Sequence, residues 1–150
     1  MRIIIQRVSE AGVSIGGHIK SAMGPGLLVL AGFEEPDTIE DLEWMAAKLV
    51  NLRIFTDENG LMNLSVKDTN GDIIIVSQFT LYAQTKKGNR PSFIRAAKPD
   101  VAIPLYEKFV FLVSKGLGKS VGTGEFGADM KVSLINDGPV TITIDSKNKE

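Results

Sequence analysis

The sequence predicts one α+β domain spanning residues 1–150, with a mainly antiparallel, barrel-like β core and two principal helices. Three observations carry this. Short apolar stretches alternate with period two and are separated by glycine, Asn-Gly and Asp-Gly turn formers. Only two segments show the 3.6-residue apolar spacing of a helix. No low-complexity run, internal repeat or long linker marks a second domain.

Residues 2–8 and 11–15 read as strands, and Gly16-Gly17 supplies the positive φ of a tight turn into a return arm over 19–23. Gly24-Pro25-Gly26 breaks the chain, and 27–31 is an apolar run suited to a buried strand. Asp37 or Thr38 caps a helix, with Glu40 or Asp41 three residues on, and Ile39, Leu42, Met45, Ala46, Leu49 and Val50 line its apolar face. Residues 53–56, the turn 57–60 and residues 61–66 form a hairpin in this reading; Asn70-Gly71 then turns into the strand 73–76. A second helix runs over about residues 100–115, with Pro104 near its first turn and Gly116 beyond its end. Residues 129–135 and 140–144 alternate around Asn136-Asp137-Gly138-Pro139 and are expected to pair as a final hairpin.

The chain has no cysteine, which excludes disulfides, thiolate metal sites and cysteine nucleophiles. The first apolar run is three residues long, too short for a secretory signal or a membrane span, so a soluble cytoplasmic protein is expected. The net charge of −1 conceals an uneven distribution. Glu34, Glu35, Asp37, Glu40, Asp41 and Glu43 crowd one segment. From Ile73 to Pro99 there is no acidic residue, whereas Lys86, Lys87, Arg90, Arg95 and Lys98 all fall there. A fold that separates the two regions presents one face to a phosphate backbone.

Three motifs are set aside. Gly122 to Gly127 spells G-x-G-x-x-G, but that fingerprint needs a strand feeding a helix, and the residues that follow alternate like a strand. Gly118-Lys119-Ser120 resembles the end of a phosphate loop, yet Val113 stands where its first glycine belongs, so a helix C-cap is the better reading. His18, the one histidine, follows a turn and is expected to be an ordinary exposed side chain.

The run 73–76 is apolar without alternation, as in a strand covered on both faces, and ends in Ser77-Gln78-Phe79-Thr80-Leu81-Tyr82. If this segment stays extended, Gln78, Thr80 and Tyr82 share one face and Ser77, Phe79 and Leu81 the other. Polar groups at the mouth of a buried strand suit a site; satisfying local backbone is an equally good account. The stretch Lys86-Lys87-Gly88-Asn89-Arg90 interleaves cations with turn formers, which suits either phosphate contact or a solvated loop.

Ser77-Gln78-Phe79-Thr80-Leu81, Arg90-Pro91-Ser92-Phe93 and Asn136-Asp137-Gly138-Pro139-Val140-Thr141, in this order and spacing, resemble the D-aminoacyl-tRNA deacylase family. So do Leu52-Arg53-Ile54-Phe55, Met62-Asn63 and Phe126-Gly127-Ala128 followed by Met130. Glu125 and Ala83-Gln84 depart from the pattern at positions outside the core motifs. The resemblance implies a homodimer that hydrolyses the ester between a D-amino acid and the terminal adenosine of tRNA, with mischarged glycyl-tRNA as a second substrate. It implies that Ser77, Gln78, Phe79 and Thr80 form the catalytic floor, with the Phe79 amide polarising the carbonyl. Gly138 and Pro139 would form a cis element that excludes L-amino acids from the partner's pocket. Met130 would line the adenosine side, and Lys86, Lys87 and Arg90 would meet tRNA phosphates. No cofactor, metal or membrane is implied. Two other readings fit the same residues: a nucleic-acid-binding module without chemistry, and a small-molecule esterase using Thr80 or Ser77 with Lys86 or Lys87 as base.

Overall fold

The computed structural model describes residues 1–150. Its first strand, β1 (Arg2–Ile15), is one 14-residue element where two shorter ones are expected. It hairpins through Gly16 and Gly17, both at positive φ, into β2 (His18–Met23), and β3 (Gly26–Gly32) follows. The helix α1 (Ile39–Asn51) starts with a capping box: Thr38 caps the Asp41 amide while the Asp41 carboxylate accepts from the Thr38 amide at 2.9 Å. The strands β4 (Phe55–Thr56), β5 (Met62–Leu64) and β6 (Asp72–Ser77) come next. A four-residue 3-10 helix (Phe79–Tyr82), α2 (Pro99–Leu117), β7 (Gly122–Thr123) and β8 (Met130–Asp145) complete the chain. Pro99 opens α2, Pro104 sits inside it, and Gly118 at φ 84° ends it, so Gly118-Lys119 belongs to a C-cap.

The main sheet runs β2-β1-β3-β6-β7, with β8 along the other side of β1. Most pairings are antiparallel; β3–β6 and β6–β7 are parallel. The two ends of the sheet meet where Ser21 Oγ donates to the Thr123 carbonyl at 2.6 Å and accepts from the Thr123 amide at 3.1 Å. Gly122 makes this closure possible, since a Cβ there would lie 2.9 Å from Ile74 Cγ1 and 3.3 Å from Ser21 Cβ. The result is a nearly closed, barrel-like sheet.

The expected two-faced burial of residues 73–76 is present. Ile73 and Ile75 face α1 and α2 in a core with Leu42, Leu49, Phe109 and Val113. Ile74 and Val76 face the interior of the sheet with Val8, Val13 and Leu28. No helix is long and apolar enough to cross a membrane.

Three sequence expectations are corrected. Residues 130–145 are not a hairpin: both halves pair with β1, which is long enough to receive them in succession. Gln6 pairs with Thr141 and Val8 with Asn136, so residues 137–140 bulge out opposite Arg7. The hairpin predicted over 53–66 shrinks to β4 and β5, because polar side chains capture the backbone on either side. Asp57 accepts from the amides of Asn59 and Leu61, and Asp68 from that of Ser65. Finally, residues 79–82 are helical rather than extended, so the period-two assignment of faces does not apply there.

Candidate active site

Parallel β6 ends at Ser77, and the chain turns at once into the 3-10 helix. Two carbonyls drive that turn: Gln78 O accepts from the Leu81 amide at 3.3 Å and Thr80 O from the Ala83 amide at 3.1 Å. Gly32 allows it to pack against β3, since a Cβ on Gly32 would lie 2.9 Å from Gln78 O and 3.1 Å from Leu81 Cβ. The Gln78 amide is pinned to the Ala31 carbonyl at 2.7 Å. The first N–H groups of a helix have no partner inside it. No turn, loop or cap hydrogen bond uses the amides of Phe79 or Thr80.

A cavity of about 620 Å³ opens at this corner. Ser77, Gln78 and Phe79 form one wall, Phe93, Ala97 and Pro99 another, and Phe126, Met130 and Val132 a third. Phe79 and Phe93 meet edge to face, their ring centroids 5.2 Å apart. Behind the turn, Tyr82 is buried, with Arg2 stacked 4.6 Å and Arg95 5.5 Å from its ring. Burial pushes the Tyr82 phenol far above its ordinary range, helped by Asp37 and Glu34, and its hydroxyl has no hydrogen-bond partner. Tyr106 supports β6 by donating to the Ile75 carbonyl at 2.7 Å; burial pushes its phenol up to about 12.

The structure brings Ser77, Gln78, Phe79 and Met130 together around one cavity. Thr80 joins them through its neighbour: Gln78 Nε2 donates to Thr80 Oγ1 at 2.5 Å, the one side-chain hydrogen bond that Thr80 makes. Lys86, Lys87 and Arg90 are exposed and unpaired on the loop whose stem is closed by Gln84 and Ser92 at 2.8 and 3.0 Å. Phe93, just beyond that stem, lines the cavity; the three cations do not. Gly138 and Pro139 stand elsewhere, in the exposed bulge of β8. Their peptide bond is cis, Asn136 spans them by accepting from the Val140 amide at 2.7 Å, and Arg7 donates to the Asp137 carbonyl at 2.8 Å. They do not line this cavity.

Residue chemistry alone did not single out Ala97, Pro99 or Val132 as walls; apolar residues lining a cavity carry the same sequence signal as core. No cluster of three or more His, Asp or Glu side chains is arranged to hold a metal ion. A second concavity of about 580 Å³, against Trp44 and Ile142, contains none of the predicted site residues.

Comparison with known proteins matches residues 4–145 to the family model described as D-Tyr-tRNA(Tyr) deacylase. This chain belongs to that family. A D-aminoacyl-tRNA deacylase of Bacteroides fragilis is 63% identical over 150 residues, covering 100% of both chains. One of Dechloromonas aromatica is 61% identical with the same coverage. Among solved structures, a c-Myc DNA unwinding element binding protein superposes with a TM-score of 0.91 at 41% identity, over 97% of this chain and 98% of the other. A probable eukaryotic D-amino acid tRNA deacylase superposes with a TM-score of 0.83 over 95% and 97%; at 21% identity it supports the fold alone. The deacylase-family resemblance read from Ser77–Leu81 and Asn136–Thr141 therefore holds across nearly the whole chain.

Proposed function

We propose that this protein is a hydrolase that cleaves the ester of D-aminoacyl-tRNA at the cavity beside Ser77-Gln78-Phe79-Thr80. The observation that carries this is the end of β6, where a buried strand turns into a short helix beside an apolar cavity and the amides of Phe79 and Thr80 make no turn, loop or cap hydrogen bond. Such donors stabilise the oxyanion that develops when water attacks an ester carbonyl. In this reading the Phe79 amide holds the carbonyl oxygen. Water bonds to the carbonyl carbon, the bond to the ribose 3′-oxygen breaks, and that oxygen leaves with a proton. The neighbouring 2′-hydroxyl of the RNA assists the attack.

Thr80 positions rather than attacks. Its hydroxyl is bonded only to the amide nitrogen of Gln78, which has no capacity to take a proton. Met130 lines the adenosine side of the cavity, and Lys86, Lys87 and Arg90 meet the acceptor-end phosphates. The reading includes a cytoplasmic homodimer in which the Gly138–Pro139 bulge of one subunit closes the cavity of the other and rejects L-amino acids. The bulge's exposure and its absence from the walls of its own cavity support that arrangement. Exclusion by shape leaves the side chain unread, so several D-amino acids, and glycine attached to the wrong tRNA, fit the same site.

The test is a deacylation time course with matched D-tyrosyl- and L-tyrosyl-tRNA, using the wild type, a Gly138→Ala/Pro139→Ala variant and Thr80→Ala. Loss of the D-ester alone, weakened discrimination in the bulge variant and near wild-type turnover in Thr80→Ala are expected. A trapped acyl-Thr80 ester would overturn the mechanism. Cleavage of neither ester would favour a second reading, nucleic-acid docking without chemistry. That reading has one observation behind it: the 41%-identical structure is of a protein described as binding a DNA element.

A further inference from the structure

Gly124 lies in the connection from β7 to β8, outside the walls of the cavity. A Cβ built there would stand 2.3 Å from Met130 Sδ, 3.6 Å from Met130 Cε and 3.8 Å from Val13 Cγ1. The first distance falls more than an ångström short of an ordinary carbon–sulfur contact, so the thioether fills the volume that a side chain would take. Backbone conformation does not explain the glycine, because Gly124 is not among the residues at positive φ. Three residues on, Gly127 shows the opposite case: it adopts φ 78° and a Cβ there would meet nothing within 4 Å. Gly127 serves the turn; Gly124 serves Met130.

Met130 packs inward against the cluster containing Val13, Val8 and Ile74, none of which has room to yield. Its open side is the cavity. A group added at residue 124 therefore displaces the thioether into the cavity, narrowing the space between its walls.

We propose that Gly124 is a positioning residue for the substrate site: it seats the Met130 thioether back from the cavity and so sets the width available to the terminal nucleoside. The proposal rests on reading this cavity as the deacylation site. It assigns Gly124 no contact with substrate; the effect passes entirely through Met130.

The experiment is a double-mutant cycle with steady-state kinetics on D-tyrosyl-tRNA for wild type, Gly124→Ala, Met130→Ala and the double variant. Gly124→Ala is expected to raise KM about tenfold, the order of effect of one misplaced methylene in an apolar pocket, with kcat held within about twofold. Its Tm should stay near that of the wild type, because the displaced atoms are the flexible end of a methionine. In the Met130→Ala background the same substitution should leave KM unchanged, since no thioether remains to be displaced. An equal rise in KM in both backgrounds, or a fall in kcat and Tm with KM untouched, would overturn the proposal. If the wild type cleaves no ester, the deacylation reading has failed, and the same cycle is read as Kd for adenosine carrying a 3′-amide-linked D-tyrosine. Absence of the Met130-dependent pattern there, or of wild-type binding, would overturn the positioning role as well.

Discussion

Replacing Gly32 with alanine tests whether the site depends on where the 3-10 helix sits. The new Cβ would lie 2.9 Å from Gln78 O and 3.1 Å from Leu81 Cβ, roughly 0.5 Å inside ordinary contact with a segment whose backbone has little slack. The Gln78 amide is tied to Ala31, and Tyr82 is wedged behind the turn. The helix must therefore move bodily, at an overpacking cost of about 2 kcal/mol. For a chain of this size that corresponds to a fall in Tm of about 4–8 °C. An ångström of misplacement in a catalytic group costs about a hundredfold, so half of it predicts about a tenfold loss of kcat. Thermal unfolding and single-turnover deacylation measure the two effects separately. Gly26→Ala is the control: its Cβ would lie 1.9 Å from Asp72 O, at the opposite end of β3 and β6 from Ser77. It should destabilise more severely while leaving the kcat of the folded fraction unchanged. Full activity in Gly32→Ala alongside the expected fall in Tm would refute the claim that these amides do the chemistry.

Tyr82→Phe removes a buried hydroxyl that bonds to nothing, so stability should hold or rise by up to about 1 kcal/mol in urea unfolding; a clear loss would reveal a partner for that oxygen. Burial disfavours ionised Asp41, but Lys147, the Thr38 amide and Ser146 outweigh it and hold the carboxyl well below its usual range. Asp145 is held low as well, with Arg2 outweighing its burial. Both contributions are complete above the unfolded value near 4 and are lost as pH falls through the lower folded values, so Tm should decline below about pH 4 and less steeply in Lys147→Ala. Changing Lys86, Lys87 and Arg90 to alanine should weaken tRNA binding and flatten its dependence on salt, by about one unit of log–log slope for each phosphate no longer neutralised; an unchanged slope would move the RNA to another face.

Helices and turns were legible because their signals are local. The capping box of Thr38 and Asp41, the apolar face of α1 and the Gly16-Gly17 turn are each decided within a few residues. The double burial of 73–76 was legible from its unbroken apolar run. What failed was decided at long range. Residues 130–135 and 140–144 alternate as a hairpin would, and only the length of β1 lets both halves pair with it in series. The helical turn at 79–82 was equally hidden, because the permission for it comes from Gly32, some fifty residues upstream, and not from Phe79 or Thr80. Of the cavity's lining, Ser77, Gln78, Phe79 and Met130 are named in the sequence through family motifs. Their residue types alone fit ordinary backbone satisfaction equally well.

That last failure has a physical reason which bears on how the site works. A catalytic histidine or cysteine advertises itself because its chemistry resides in the side chain; a peptide N–H is carried by every residue except proline. If the oxyanion is held by the Phe79 amide, selection on catalysis acts on whatever fixes the path of the backbone. Here those are a carbonyl partner at Ala31, a missing Cβ at Gly32 and a buried ring at Tyr82. None of these touches the cavity. Such a site should tolerate changes at its own polar side chains better than small changes behind it, so Gly32→Ala should cost more turnover than Thr80→Ala. The reverse order would return the chemistry to the hydroxyl.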